Sequence, residues 1–300
     1  MPATHRTSQR GVGRPGDEVV VAPDERRDAV LRVIGGARTR LILSVFRCDV
    51  LEVLDALADA LRRNVRVEVL ITGRAKGWQE RLQRLWVLLE DMGATLHRYP
   101  DPVVKYHAKY IVADKGPALV ASLNLTRKCF TSTVDFVVTT HDPGVVSGLT
   151  RLFAVDCGPP SAPLPPGLSR RLIIGPDGAR RQFTALIQGA RRSICIVDPK
   201  VTDPGVVALL KTKAAEGVSV SVLSRGGLSG LTPHGKLLIV DGSTAVIGSL
   251  SLSALSLDFR REVAIIVNDS NCVARLNALF GQTGSRSRAR ATGSRTRATP

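Results

Sequence analysis

The chain has 300 residues, 44% of them hydrophobic and 23% charged, which suits one large domain or two ordinary ones and argues against a mostly disordered protein. No run of about 18 apolar residues occurs, the first residues lack the apolar core of a secretory signal, and five scattered cysteines form no CxxC pair, so a spanning helix, a secretory leader, a disulfide framework and a zinc site are not expected. The net charge of +16 points to a polyanionic partner, nucleic acid or an anionic membrane surface, although five of those charges lie in the last twenty residues.

In chain order, residues 1–24 lack apolar patterning and are expected to be disordered. A first lobe is expected over 25–157. It opens with a helix end, a Gly-Ala-Arg turn and a strand (Val33–Phe46), then a helix (Val50–Arg63) and an alternating strand (Val65–Thr72). A further helix over Gly77–Met92 carries Trp78, Leu82, Leu85, Trp86 and Leu89 on one face, read as packing surface. Five prolines in Gly158–Gly167 exclude a helix interior or a central strand and mark a linker, 158–167. The second lobe, 168–280, repeats the first: Leu186–Pro199 matches Val33–Phe46, and Pro204–Glu216 and Val218–Ser224 supply the next helix and strand. The glycine-rich stretch Arg225–Pro233 stands where the first lobe has its extra helix. Residues 281–300 are a basic tail expected to be disordered. The alternation of strands and helices predicts an α/β fold: two similar lobes related by a pseudo-twofold axis, each a mixed, partly parallel sheet flanked by helices.

A polar constellation recurs in both lobes. The first copy holds His107, Lys109, Asp114, Ser122, Asn124 and Asp135; the second holds His234, Lys236, Asp241, Ser249, Ser251 and Glu262. Counted from each histidine the spacings are +2, +7, +15, +17 and +28 in both. Each H-x-K opens an apolar run read as a strand, so histidine and lysine share a face. The lysines, hydroxyls and amide suit the non-bridging oxygens of a phosphate. A neutral imidazole attacks phosphorus and a protonated one opposite gives its proton to the leaving oxygen. The acid at +28 is read as holding the ring of its own copy's histidine. This chemistry calls for no cofactor and no metal, and one chain carries both halves of the site, so a monomer is sufficient.

The motifs HAKYIVAD…ASLN and HGKLLIVD…GSLS resemble the paired HxKxxxxD motifs of the phospholipase D superfamily, and Ser253–Val267 resembles the stretch after the second motif in bacterial cardiolipin-synthase-like members. The resemblance implies a two-lobed α/β fold with the site between the lobes and a phosphohistidine intermediate. It implies His107 and His234 as nucleophile and general acid. Lys109, Lys236, Ser122, Asn124, Ser249 and Ser251 would bind phosphate, Asp135 and Glu262 would orient the histidines, and Asp114 and Asp241 would be structural. The chain departs from the family at Ala121 for Gly, Ser251 for Asn and Asp135 for Glu.

The expected function is that of a metal-independent phosphodiester hydrolase or transferase acting on phospholipid headgroups. It would work in the cytoplasm, with peripheral contact at the inner membrane face through Arg-rich segments. Two alternatives are a nuclease of the same superfamily, suggested by the charge, and a non-catalytic phosphate-binding module, suggested by Asp135 and Ser251.

Overall fold

A computed structural model describes residues 16–100, 104–159, 162–224 and 230–280. The first lobe runs β1 (Glu18–Val20), α1 (Pro23–Gly36), β2 (Arg40–Val45), α2 (Leu51–Arg62), β3 (Arg66–Thr72), α3 (Gln79–Asp91) and β4 (Thr95–Tyr99). It continues with β5 (Lys105–Tyr106), β6 (Tyr110–Ala113), β7 (Ala118–Ala121), α4 (Arg127–Thr131), β8 (Thr133–Val134), β9 (Val137–Thr140) and α5 (Pro143–Asp156). The second lobe runs β10 (Leu172–Gly175), α6 (Ala179–Gly189), β11 (Ser193–Val197), α7 (Pro204–Ala215) and β12 (Ser219–Leu223). It ends with β13 (Thr232–Pro233), β14 (Lys236–Val240), β15 (Thr244–Gly248), α8 (Ala254–Phe259) and β16 (Arg260–Val267), and residues 270–280 are helical.

The two sheets share one plan. The first has the order β1-β9-β7-β6-β2-β3-β4 and the second β10-β16-β15-β14-β11-β12. In each, a parallel pair (β2–β3, β11–β12) joins antiparallel neighbours (β2–β6–β7–β9, β11–β14–β15–β16). Parallel pairs need a crossover, and α2 and α7 supply it. Val53, Leu54, Leu57 and Ala60 of α2 are buried at helical spacing. Asp203 caps α7 by accepting from the Val206 N–H, with Pro204 in the first turn.

The segment Gly77–Met92 forms α3, with Leu82, Leu85 and Leu89 buried. After it comes a strand that the short run TLHRY did not disclose: β4, added in parallel beside β3. The extra segment of the first lobe is therefore a whole helix–strand unit. It covers β3, whose last four residues are buried, whereas β12 in the second lobe remains an exposed edge.

Three buried clusters hold the molecule together. One lies under α1, α2 and α3, and another under α6 and α7. The middle cluster joins Tyr106, Phe136 and Val138 of the first lobe to Leu237, Ile247 and Ile265 of the second, with α5 and the helix over 270–280 packed into it. The lobes thus share a core as apolar as their own interiors.

Two expectations need correction. Residues 18–24 are ordered: Val19 and Val20 pair with Val138 and Val137, and α1 starts at Pro23. Three residues are too few to show alternation, and the partner strand is more than a hundred positions away. The histidines also precede their strands: His107 lies between β5 and β6, and His234 between β13 and β14. Residues 1–15, the tail 281–300, and 225–229 of the glycine-rich stretch lie outside the described residues.

Candidate active site

Each histidine is placed by the opposite lobe. The two residues before His107 form β5, which pairs in parallel with Arg260–Arg261 at the start of β16. The two residues before His234 form β13, which pairs in parallel with Thr133–Val134 of β8. The His107 N–H donates to the Arg261 carbonyl at 2.9 Å and the Gly235 N–H to the Val134 carbonyl at 2.7 Å. The short interface ladders end at the histidines and bring both motifs to the seam. Gly235 has no room for a side chain there, since a Cβ would stand 2.8 Å from the Phe136 ring.

These ladders reverse one expectation from the sequence. His107 Nδ1 lies 2.6 Å from Glu262 Oε1, and His234 Nδ1 lies 3.0 Å from both oxygens of Asp135. The acid at +28 therefore meets the histidine of the other copy. The spacing is the same in both lobes, so it fits either pairing; the cross-lobe ladders decide. The shorter Asp135 arm accordingly bears on His234, not on His107.

The two imidazoles have opposite tendencies. Burial, together with the charges of Lys109, Lys236, Arg260 and His234, pushes His107 well below the usual histidine range. Burial opposes a charge on His234 too, but its hydrogen bonds to Asp135 and Cys129 outweigh it and raise the ring. The acids differ in the complementary sense. Burial lifts Glu262 to about 7 despite the Ser256 hydrogen bond and the nearby cations. Asp135, equally buried, is held low by His234, Lys236 and the Thr133 hydroxyl. One pair thus favours a neutral ring and the other an imidazolium carboxylate.

Lys109 and Lys236 each fold back onto the carbonyl of their own motif histidine, at 2.8 and 2.7 Å. An ammonium has three donors, so two remain for a ligand. Asn124 is buried, and its Oδ1 has no partner among the described residues. The three serines do not fit the phosphate role that the resemblance implied. Ser122 Oγ donates to Asp135 and accepts from the Phe136 N–H. Ser249 Oγ bonds the backbone of Val263. Ser251 Oγ turns to Asp198 at 3.0 Å. Their hydroxyls complete buried networks behind the histidines instead of facing a ligand.

Asp114 and Asp241 stand outside the seam. Asp114, at φ 50°, accepts from the N–H groups of Arg38, Thr39 and Arg40 and from the Thr39 hydroxyl. Asp241, at φ 53°, does the same for Arg191, Arg192 and Ser193. Each anchors the turn that leads into β2 or β11. Slight burial works against the Asp114 charge, but these donors hold it at about 2. Asp114→Ala is expected to cost about 1–3 kcal/mol in urea unfolding at pH 7. Because the native carboxyl is depressed, its contribution is complete above about pH 4 and disappears as the pH falls towards 2. Wild type and variant should therefore converge in acid.

Phe46, Ser256 and Arg26 escaped the sequence, whereas Cys129 and Arg260 were read there as lying near the motifs. Phe46 meets His107 edge-on at 4.6 Å between ring centroids. Ser256 donates to Glu262 Oε2. Its counterpart in the first lobe is Cys129, whose Sγ lies 4.0 Å from His234 Nδ1. Arg260 stands 3.8 Å from Glu262. Arg26 of α1 is fully buried behind Asp135. The 127-residue offset marks the Ser256–Cys129 correspondence, but nothing local distinguishes Arg26 from its neighbours. Among the described residues, Cys129, Asp135 and His234 bring possible metal-ligand atoms within 4.8 Å of one another. The carboxylate there is already occupied by Ser122, Thr133 and His234, with a guanidinium 4.0 Å away, which disfavours a cation.

Residues 30–157 match the family model described as cardiolipin synthase, PLD-like domain. Among solved structures, the chain resembles polyphosphate kinase from Porphyromonas gingivalis, with 18% identity and a TM-score of 0.71 over 89% of this chain and 47% of that one. It also resembles phosphatidylserine synthase from Haemophilus influenzae, with 12% identity and a TM-score of 0.70 over 89% of this chain and 85% of that one. The chain spans about half the length of the kinase, and identities this low speak for the fold alone. A comparison with curated proteins found no match. The family model covers the first lobe up to the linker, the second lobe repeats its strand order and its motif, and the chain is in this respect similar to the cardiolipin-synthase-like proteins of the phospholipase D superfamily.

Proposed function

We propose that the protein is a phosphodiester hydrolase or transferase of phospholipase D type, acting on phospholipid headgroups through a phosphohistidine. The observation that carries this reading is the pair of histidines, each held at Nδ1 by the opposite lobe's carboxylate and tuned in opposite directions. Nδ1 is occupied in both rings, so Nε2 is the free nitrogen of each. The lone pair of His107 Nε2 forms a bond to phosphorus as the bond to the leaving oxygen breaks. That oxygen takes the proton from His234 Nε2. Water, or an acceptor alcohol, then returns a proton to neutral His234 as its oxygen bonds phosphorus and releases His107. Lys109, Lys236 and Arg260 supply positive charge to the phosphate oxygens, so the reaction is expected to proceed in EDTA.

Among the described residues no helix is long and apolar enough to cross a membrane. We place the reaction in the cytoplasm, with lipid reached from the membrane face. The net charge favours a second reading, a nuclease using the same chemistry. The non-catalytic reading draws little support: both Asp135 oxygens reach His234 despite the shorter arm.

The test is a turnover assay in EDTA offering mixed phospholipid vesicles and single- and double-stranded DNA, with His107→Ala as control. Headgroup release lost in the variant supports the lipid reading. DNA cleavage lost in the variant moves the protein to the nuclease branch, and no turnover on either substrate overturns both. The pH profile supplies a second check. A general acid must be protonated, so activity falls as the pH rises through the His234 pKa, which Asp135 raises. Asp135→Asn should move that alkaline limb to lower pH.

A further inference from the structure

We propose that Arg26 is a positioning residue: its buried guanidinium holds the short carboxylate of Asp135 against His234, replacing what the longer arm of Glu262 does for His107. The proposal rests on the role assigned above to His234.

Comparison of the two half-sites carries it. Arg26 is 0% exposed, an unusual state for a cation. Its Nη2 donates to the Thr133 carbonyl at 2.8 Å, which fixes the guanidinium beside the segment that carries Asp135. Its Nη1 lies 4.0 Å from Asp135 Oδ2, while Nε and Nη1 have no hydrogen-bond partner among the described residues. A buried charge with so few partners is costly and persists where a neighbouring charge answers it. The neighbour is Asp135, and Asp135 leads on to His234 and the site.

The second lobe lacks this device. The Gly-Ala-Arg turns align Ala37 with Ala190, which sets Arg26 opposite Ala179. Ala179 is also fully buried. The first lobe thus combines arginine with aspartate, and the second alanine with glutamate. Glu262 reaches His107 through one oxygen at 2.6 Å and takes the Ser256 hydroxyl on the other. Asp135, one methylene shorter, meets His234 with both oxygens at 3.0 Å, with Ser122 and Thr133 donating to either side. The charges around this pair are Arg26 from α1 with Asp24 behind it, Cys129 from α4, Lys236 from β14, and His107 with Lys109 across the seam. Of these, Arg26 is the fully buried cation, and it is carried by α1, outside both motifs.

Arg26→Met keeps the bulk and removes the charge; taking one partner from a buried ion pair destabilises, so its urea midpoint is read first and kinetics are compared where the variant is folded. In the intact chain it is expected to lower kcat by on the order of 100-fold, as for a misplaced catalytic group, with KM little changed. The low-field Nδ1–H proton resonance of His234, the mark of a hydrogen bond to a carboxylate, should weaken. With the cation gone, Asp135 takes its proton at higher pH, so the resonance should also be lost earlier on acidification. Arg26→Ala with Asp135→Glu rebuilds the second-lobe pair and should restore both kcat and the resonance. Asp135→Glu alone, crowded by the arginine, should lower both.

Unchanged kcat and resonance in Arg26→Met would overturn the assignment, as would a double variant no better than Arg26→Met. The resonance needs no substrate. If wild type turns over neither lipid nor DNA but the resonance follows this pattern, the proposed function fails while the link from Arg26 to His234 stands.

Discussion

Alanine at position 107 is expected to lower turnover by roughly four to six orders of magnitude, the scale seen when one member of a coupled catalytic unit is removed. The fold should survive. The His107 side chain is 18% exposed, and its partner Glu262, lifted to about 7 by burial, readily takes up a proton when the ring is lost and keeps its hydrogen bond to Ser256. Alanine at position 234 should behave differently, costing about a hundredfold to ten-thousandfold, the range for a general acid. An activated substrate separates the two roles. A p-nitrophenyl phosphodiester leaves without a proton, so it should largely rescue the first step in His234→Ala and leave a phosphoenzyme that rapid quenching and intact mass reveal. It should do nothing for His107→Ala. The reverse pattern would exchange nucleophile and acid.

Gly248→Ala should produce the largest loss of stability from a single methyl group. A Cβ there would lie 2.2 Å from the Val263 carbonyl oxygen and 2.4 Å from the Ala264 Cα, both backbone atoms of β16. Backbone cannot swing aside as a side chain can, so β15 and β16 must part. We expect at least about 3 kcal/mol, the upper end of overpacking costs, read from the urea midpoint. Glu262 begins the displaced stretch, so residual activity should fall with it. The first lobe tolerates Ala121 at the matching position because its strand is interrupted between β8 and β9, at Asp135–Phe136, whereas β16 is continuous. The departure from the family glycine at Ala121 is thus local to one lobe, and Ala121→Gly should not stabilise the protein.

The duplication made much of this architecture readable. Two apolar strands, each preceded by a Gly-Ala-Arg turn and followed by a crossover helix, translate directly into parallel pairs in twin sheets. The repeated histidines, lysines and acids at +28 led to the seam for the same reason. The pairing across it was not readable, because a spacing of +28 is blind to which copy the acid serves. The serines misled because a hydroxyl in a phosphate-binding pattern looks the same whether it faces a ligand or the backbone. β4 was missed because its stability comes from lying beside β3, not from its own five residues. Arg26 gave no sign because its meaning depends on Asp135, on another segment more than a hundred residues away.

The crossed carboxylates also set when in the life of the chain the site comes into being. His107 waits for a residue 155 positions later, and Asp135 for one 99 positions later. At ribosomal rates, roughly ten to thirty seconds separate the synthesis of His107 from that of Glu262. Throughout that interval the nascent first lobe carries its H-x-K with an unguided imidazole. A chain released before residue 262 therefore lacks the carboxylate that holds His107, whereas the shared core would keep the two lobes of a linker-cut chain together.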